Sequence, residues 1–205
     1  MESKMKKIIS ILLPAIAIVL WLHPLALGAD AQFYFDKGGS YFNEGQYDKA
    51  ISNYTEAITL SPKFVEAYYN RGQAYYKTDR FNDAIADFSK VIESYSENAE
   101  LYNLRGLAYF KIGRYDSAIE DETKAVSIDP GFVAGYLNRG ISYAKSGQYD
   151  KAIEDYDKAI SLKPDYIDAY YSRGVAYVRK ASSDFKRACD KGNKFACDNL
   201  KQLSE

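Results

Sequence analysis

The sequence predicts an all-α solenoid of helix hairpins on three observations: a 34-residue period, small residues at fixed places within it, and aromatic residues spaced for one helix face. Arg-Gly pairs recur at Arg71-Gly72, Arg105-Gly106, Arg139-Gly140 and Arg173-Gly174, with Lys37-Gly38 one period earlier. Tyr34, Tyr68, Tyr102, Tyr136 and Tyr170 stand four residues before each Gly, and Tyr41, Tyr75, Tyr109, Tyr143 and Tyr177 three after it. Twelve residues past the Gly come Ala50, Ala84, Ala118 and Ala152, then an aromatic (Tyr54, Phe88, Tyr156), then Pro62, Pro130 or Pro164.

Each period reads as two amphipathic helices, since apolar residues recur at three and four positions and Gly45, Gly113 and Gly147 break the pattern between them. The predicted pairs are 31–44 with 47–60, 65–78 with 81–94, 99–112 with 115–128, and 133–146 with 149–162, followed by a fifth first helix from 167. Gly and Ala at the crossing let the two helices approach closely while aromatics fill the gaps. A large residue at such a Gly should wedge the hairpin open. The prolines disfavour helix at the residue before them and end each unit at a fixed point. One hairpin cannot bury its apolar face alone, so stability must come from stacking. Three departures stand out: Ser96 in place of Pro, Val91 in place of a small residue, and Glu122 where the third unit should bury an aromatic. Glu122 is expected either to turn out to solvent or to pair with a cation.

The order Tyr, Gly, Tyr, Ala, aromatic, Pro at this period resembles the tetratricopeptide repeat, over residues 31 to about 178. The resemblance implies a right-handed α-solenoid with repeats at about 31–64, 65–98, 99–132 and 133–166, a partial fifth from 167, and a capping helix in 181–205; the array proper occupies 30–180. It also implies that first helices line a concave groove, here through Phe35, Phe42, Tyr69, Gln73, Tyr76, Asn103, Leu107, Phe110, Leu137, Ile141, Tyr171 and Val175. Lys77, Lys111, Lys145 and Arg179 follow the Gly by five residues and put a row of cations along that groove. Such a surface suits a protein or peptide with apolar anchors and an acidic stretch. The same cations also suit exposed helix ends on dipole grounds alone. Relatives that clamp a terminal carboxylate need Lys and Asn where Phe35 and Gly39 stand, so that ligand is not expected. The Arg71, Arg105, Arg139 and Arg173 ladder is expected to face the second helices and pair with Asp residues such as Asp87, Asp121 and Asp155.

Ahead of the array stand Lys4, Lys6 and Lys7, an apolar run from Ile8 to Leu22, and small residues around Ala26, Gly28, Ala29 and Ala31. That is the pattern of a signal peptide at 1–29, so the protein is expected to be exported, periplasmic or secreted, with an uncleaved membrane anchor as the alternative. Without residues 1–29 the chain holds 24 basic and 27 acidic residues, net −3, which offers nucleic acid no basic face.

At the other end the pattern changes. Gly174 to Phe185 is 11 residues where Gly140 to Tyr156 is 16, so five residues of the inter-helix turn are expected to be missing. The chain from Tyr177 to Lys191 is expected to run as one long helix or to turn sharply at Ala181-Ser182-Ser183, with a short last helix from Lys194. Residues 184–197 resemble the ends of cysteine-rich Sel1-like repeat proteins. That resemblance implies a disulfide between Cys189 and Cys197, which an oxidising compartment would preserve; two free thiols are the alternative.

Little supports catalysis. The one His, His23, precedes the array, so the array itself has no imidazole for a dyad, a triad or a zinc site, and no metal or cofactor is expected. Ser183 and Lys186 fit an S-x-x-K pattern, as do Ser3 and Lys6, without the accompanying S-D-N or K-T-G. The Sel1-like resemblance keeps a β-lactam-binding or cell-wall-active enzyme as an alternative to a binding scaffold, and the open end of a stack makes self-association another.

Overall fold

The structure, a computed structural model, describes residues 30–203. The segment read as a signal peptide, His23 included, lies outside the described residues. Ten helices make up the regular structure among the described residues. They are α1 (30–43), α2 (Tyr47–Leu60), α3 (Val65–Lys77), α4 (Phe81–Ser94), α5 (Ala99–Lys111), α6 (Tyr115–Ile128), α7 (Val133–Lys145), α8 (Tyr149–Leu162), α9 (Ile167–Asp190) and α10 (Lys194–Gln202). The first compact unit ends at Ser94 and holds the hairpins α1/α2 and α3/α4. The second begins at Tyr95 and holds α5/α6, α7/α8 and α9/α10.

Within each unit the architecture is a tetratricopeptide-like helical stack. In the first, α2 packs on α3 and α3 on α4; in the second, each helix from α5 to α10 packs on the next. The hairpin corners share one closure: the N–H of Gln46, Arg80, Arg114 and Gln148 donates to the carbonyl of Tyr41, Tyr75, Tyr109 and Tyr143 at 2.8–2.9 Å. The residue before each donor must be left-handed. Gly45, Gly113 and Gly147 take φ of 74°, 75° and 78°, and in the second hairpin Asp79 takes the role at 58°.

Each hairpin closes on its glycine. A Cβ on Gly38 would come within 2.7 Å of the Tyr54 ring, one on Gly72 within 2.9 Å of Phe88, and one on Gly140 within 2.6 Å of Tyr156. Those three rings and the alanines Ala50, Ala84 and Ala152 are fully buried, as the sequence predicts. The third hairpin differs. Glu122 is neither turned outward nor paired with a cation: it is 1 % exposed and occupies the ring's seat, its Oε1 2.9 Å from where a Gly106 Cβ would stand. The helix phase fixed by Ala118 and Ala125 leaves it no route to water, and Arg139 is already committed to Asp155.

At the end of the chain the expected loss of turn residues does not hold, while one long helix, the first of the two forms expected, and a last helix from Lys194 are present. No residues are lost from a turn; α9 runs unbroken for 24 residues, with Phe185 on the same helix. Its corner falls at Gly192, φ 90°, where the Asn193 N–H donates to the Ala188 carbonyl at 3.0 Å, the closure used in the other hairpins. The fifth first helix is therefore 11 residues longer than the 13-residue α7, three helical turns or roughly 16 Å. α10 starts from that displaced corner and packs back along α9. Cys189 and Cys197 join the two helices by a disulfide, with Cα atoms 4.8 Å apart.

Candidate functional site

The first-helix face is built from residues that also close the hairpins. Phe42, Tyr76 and Phe110 lie one turn before their corners, each with its ring against the opening residue of the second helix: Tyr47 at 5.3 Å, Phe81 at 5.3 Å and Tyr115 at 5.5 Å. Phe35 packs on Tyr54 and Phe64, and Tyr69 meets Phe88 at 6.5 Å. These rings are half-buried, offering one side to solvent and one to the hairpin. Burial, and then Asp79, push the Tyr76 hydroxyl above its ordinary value. Gln73, Leu107 and Ile141 are half-buried as well, but Asn103 and Leu137 are buried and give the face no open surface.

The cation row separates into two cases. Lys77, Lys111 and Lys145 are exposed and are the final residues of α3, α5 and α7, where the carbonyl ends of the helices favour a positive charge. Arg179 stands in mid-α9, because that helix continues past the usual stop. There the dipole gives no account of it.

Behind this face runs the arginine ladder. Arg71, Arg105 and Arg139 each fork onto the carboxylate of their own second helix, with paired N–H bonds of 2.7–2.8 Å to Asp87, Asp121 and Asp155. The Nη1 of Arg71 and Arg139 reaches back to Thr55 and Thr123 on the preceding second helix. Flanking tyrosines sandwich the guanidinium planes, as Tyr68 and Tyr75 do for Arg71. This is hairpin architecture, with the ladder consumed internally. Arg173 breaks the rule: its partner is Asp157, back on α8, and the residue sixteen ahead that should be Asp is Cys189.

Asn103 completes a polar cluster that sequence reasoning missed. Its Oδ1 accepts from Asn138 Nδ2 at 2.7 Å and lies 3.0 and 3.2 Å from the two Glu122 oxygens. A protonated Glu122 donates to that oxygen; an ionised one requires the amide turned over so that nitrogen faces the carboxylate. Burial first, then Asp121, push the Glu122 carboxyl up to about 9, with Arg139 opposing. The acid is therefore neutral near pH 7.

At α9 the groove residues expected from the sequence, Tyr171, Val175 and Arg179, are exposed, and the open surface extends beyond them to Tyr177 and Val178. Tyr171 is 74 % exposed, Tyr177 53 % and Val178 51 %, and a cleft of 680 Å³ opens beside Gly174, with Leu203 at its edge. Ser183 of the S-x-x-K pattern sits on exposed α9, inside a helix that already engages the neighbouring amides, and Lys186 faces Asp190 at 3.7 Å. Nothing there resembles an oxyanion site. Among the described residues no group of His, Cys, Asp and Glu could hold a metal ion, and no helix is long and apolar enough to cross a membrane.

Comparison with known proteins agrees with this geometry. Tetratricopeptide repeat signatures match residues 38–79 and 142–180, 69–131, and 123–154. A crystal structure of MamA protein is 34 % identical, covers 82 % of this chain and 95 % of its own, and superposes with a TM-score of 0.71. MamA 41-end from Desulfovibrio magneticus RS-1 is 24 % identical over 67 % of this chain and 78 % of that one, with a TM-score of 0.64. YrrB, described as a TPR protein with an unusual peptide-binding site, is 21 % identical over 83 % and 82 %, with a TM-score of 0.62. No curated protein sequence matches. The ring-on-glycine hairpins, the 34-residue period and these matches together establish that the chain belongs to the tetratricopeptide repeat family.

Proposed function

We propose that this chain is a non-catalytic scaffold that binds a peptide or protein segment along its first-helix faces, in an exported compartment. The observation that carries the reading is a half-buried ring followed by an exposed lysine at the end of the first helix in both the second and the third hairpin: Tyr76 with Lys77, and Phe110 with Lys111. Rings held against a second helix are pre-ordered, so a ligand loses little side-chain entropy on meeting them. The neighbouring lysines add attraction for an acidic segment. YrrB, a chain of the same fold with an unusual peptide-binding site, supports the reading. The disulfide supports the exported compartment, since such bonds persist where the surroundings are oxidising.

The test is a crosslinking pull-down from the envelope fraction with the parent, with Lys77→Gln/Lys111→Gln/Lys145→Gln, and with Tyr69→Ala/Tyr76→Ala. The lysine triple variant changes only exposed side chains and should keep the parental melting curve. Loss of the same partner from both variants is the expected outcome. An unchanged set of partners refutes binding through this face.

A further inference from the structure

Among the described residues nothing covers the second-helix seat on the first helix of the fifth hairpin. We propose that this seat, on the first half of α9, is a docking site for an amphipathic helix of a partner protein, one that presents an acidic residue immediately before a Tyr or Phe with Ala four before and three after the ring. The chemistry follows from what the chain itself places on equivalent seats: Ala152, Asp155, Tyr156 and Ala159 on α7, and Ala84, Asp87, Phe88 and Val91 on α3.

Each half of that lock is open on α9. A Cβ on Gly174 would meet nothing within 4 Å, whereas the same atom on Gly72 or Gly140 would strike a ring. Tyr170 and Tyr177 are exposed where Tyr136 and Tyr143 are half-covered. Arg173 offers the second half. Its Nη1 reaches back to Asp157, as Arg71 and Arg139 reach back to Thr55 and Thr123, but the residue sixteen ahead, Asp87 or Asp155 on the second helix in those hairpins, is here Cys189, far along α9 itself and tied into the disulfide. The site therefore lacks one carboxylate and one ring, adjacent in sequence, and charge complementarity selects an acidic occupant.

The seat stays vacant because α9 overshoots. α10 begins at a corner three turns late, and its tail residue Leu203 only edges the 680 Å³ cleft beside Gly174 and Val178. The stretch from Ile167 to Lys180 matches the 14 residues of α2, α4, α6 or α8. An incoming helix of that length would complete a fifth hairpin, the helix-in-groove mode of recognition.

The probe is a synthetic peptide of residues 147–163, which carries the Ala, Asp-Tyr, Ala pattern, with a control peptide bearing Asp155→Asn and Tyr156→Ala. Binding to the whole chain is read by fluorescence anisotropy, with light scattering on the same samples. The expected result is one peptide per chain, at least tenfold weaker for the control peptide and for Gly174→Leu and Arg173→Gln proteins with parental melting curves. Gly174→Leu fills the seat from open space, so it should fold; Val178→Asp at the cleft is the second blocking variant. Lys77→Gln/Lys111→Gln/Lys145→Gln should bind the peptide like the parent, which separates this site from the one proposed above. Overturning results are no binding by the parent, binding that Gly174→Leu and Val178→Asp leave intact, or a concentration-dependent mass that Gly174→Leu abolishes, which would give the seat to a second copy of this chain.

Discussion

Replacing Glu122 by Gln should stabilise the protein at neutral pH and do nothing in acid. The carboxyl has a folded pKa of about 9 against an ordinary value of 4.5. Between those values the folded chain holds a proton that the unfolded chain has released, so stability falls as pH rises, by about 1.4 kcal/mol per pH unit. By pH 7 the accumulated cost is about 3 kcal/mol, and it stops growing once the folded group also ionises near pH 9. Gln keeps the shape and a donor for Asn103 Oδ1 while removing the titration. Urea unfolding followed by circular dichroism, at half-unit steps from pH 4 to 9, gives the difference between variant and parent; other titrating groups are common to both and cancel. The expected curve starts near zero at pH 4 and climbs to about 3 kcal/mol at pH 7, roughly 6–12 °C in melting temperature for a domain of this size. A difference that does not change across this range would refute the argument, because it would mean that Glu122 is ionised in the fold and satisfied there.

Gly140→Ala should destabilise by about 1–3 kcal/mol, because its Cβ lands 2.6 Å from the Tyr156 ring, while Gly174→Ala, with open space around it, should stabilise by about 0.5–1 kcal/mol through helix propensity; thermal melts of the pair check both signs. Asp79→Gly should gain roughly 0.5–1 kcal/mol by relieving a φ of 58°, read in the same melts. Reductant should lower stability by about 2–3 kcal/mol through the opened loop between Cys189 and Cys197, with hydrogen exchange quickening first in α10; equal exchange in both redox states would show that packing alone holds the helix.

The repeat left its mark on the sequence wherever the constraint is steric and local. A helix crossing that admits no Cβ demands Gly140, which can be read from the chain because any side chain there would strike the ring of Tyr156, sixteen residues on. The arginine forks were legible from spacing, since the Arg before Gly72, Gly106 and Gly140 and the Asp sixteen residues after each Arg keep one register. Asp79 was less visible, because a left-handed corner normally announces itself by Gly. Asn103 was assigned to an open face by its register, yet the acid in the third hairpin draws it inward.

Glu122 and α9 show where reading by period fails. A carboxyl on an apolar seat is so costly when ionised that escape to water is the natural expectation, but protonation is a second way out, and it depends on a neighbouring acceptor that only the folded chain supplies. In α9 the shortened interval from Gly174 to Phe185 looked like a deletion because it was measured between motif residues. Corners, however, are set by residues that tolerate positive φ, and none of the chain between Gly174 and Gly192 is glycine. Measured from corner to corner the same segment is an insertion of three helical turns, and an insertion there does what a deletion would not: it carries the second helix away and leaves Gly174, Tyr177 and Arg173 dressed for a partner the hairpin does not provide.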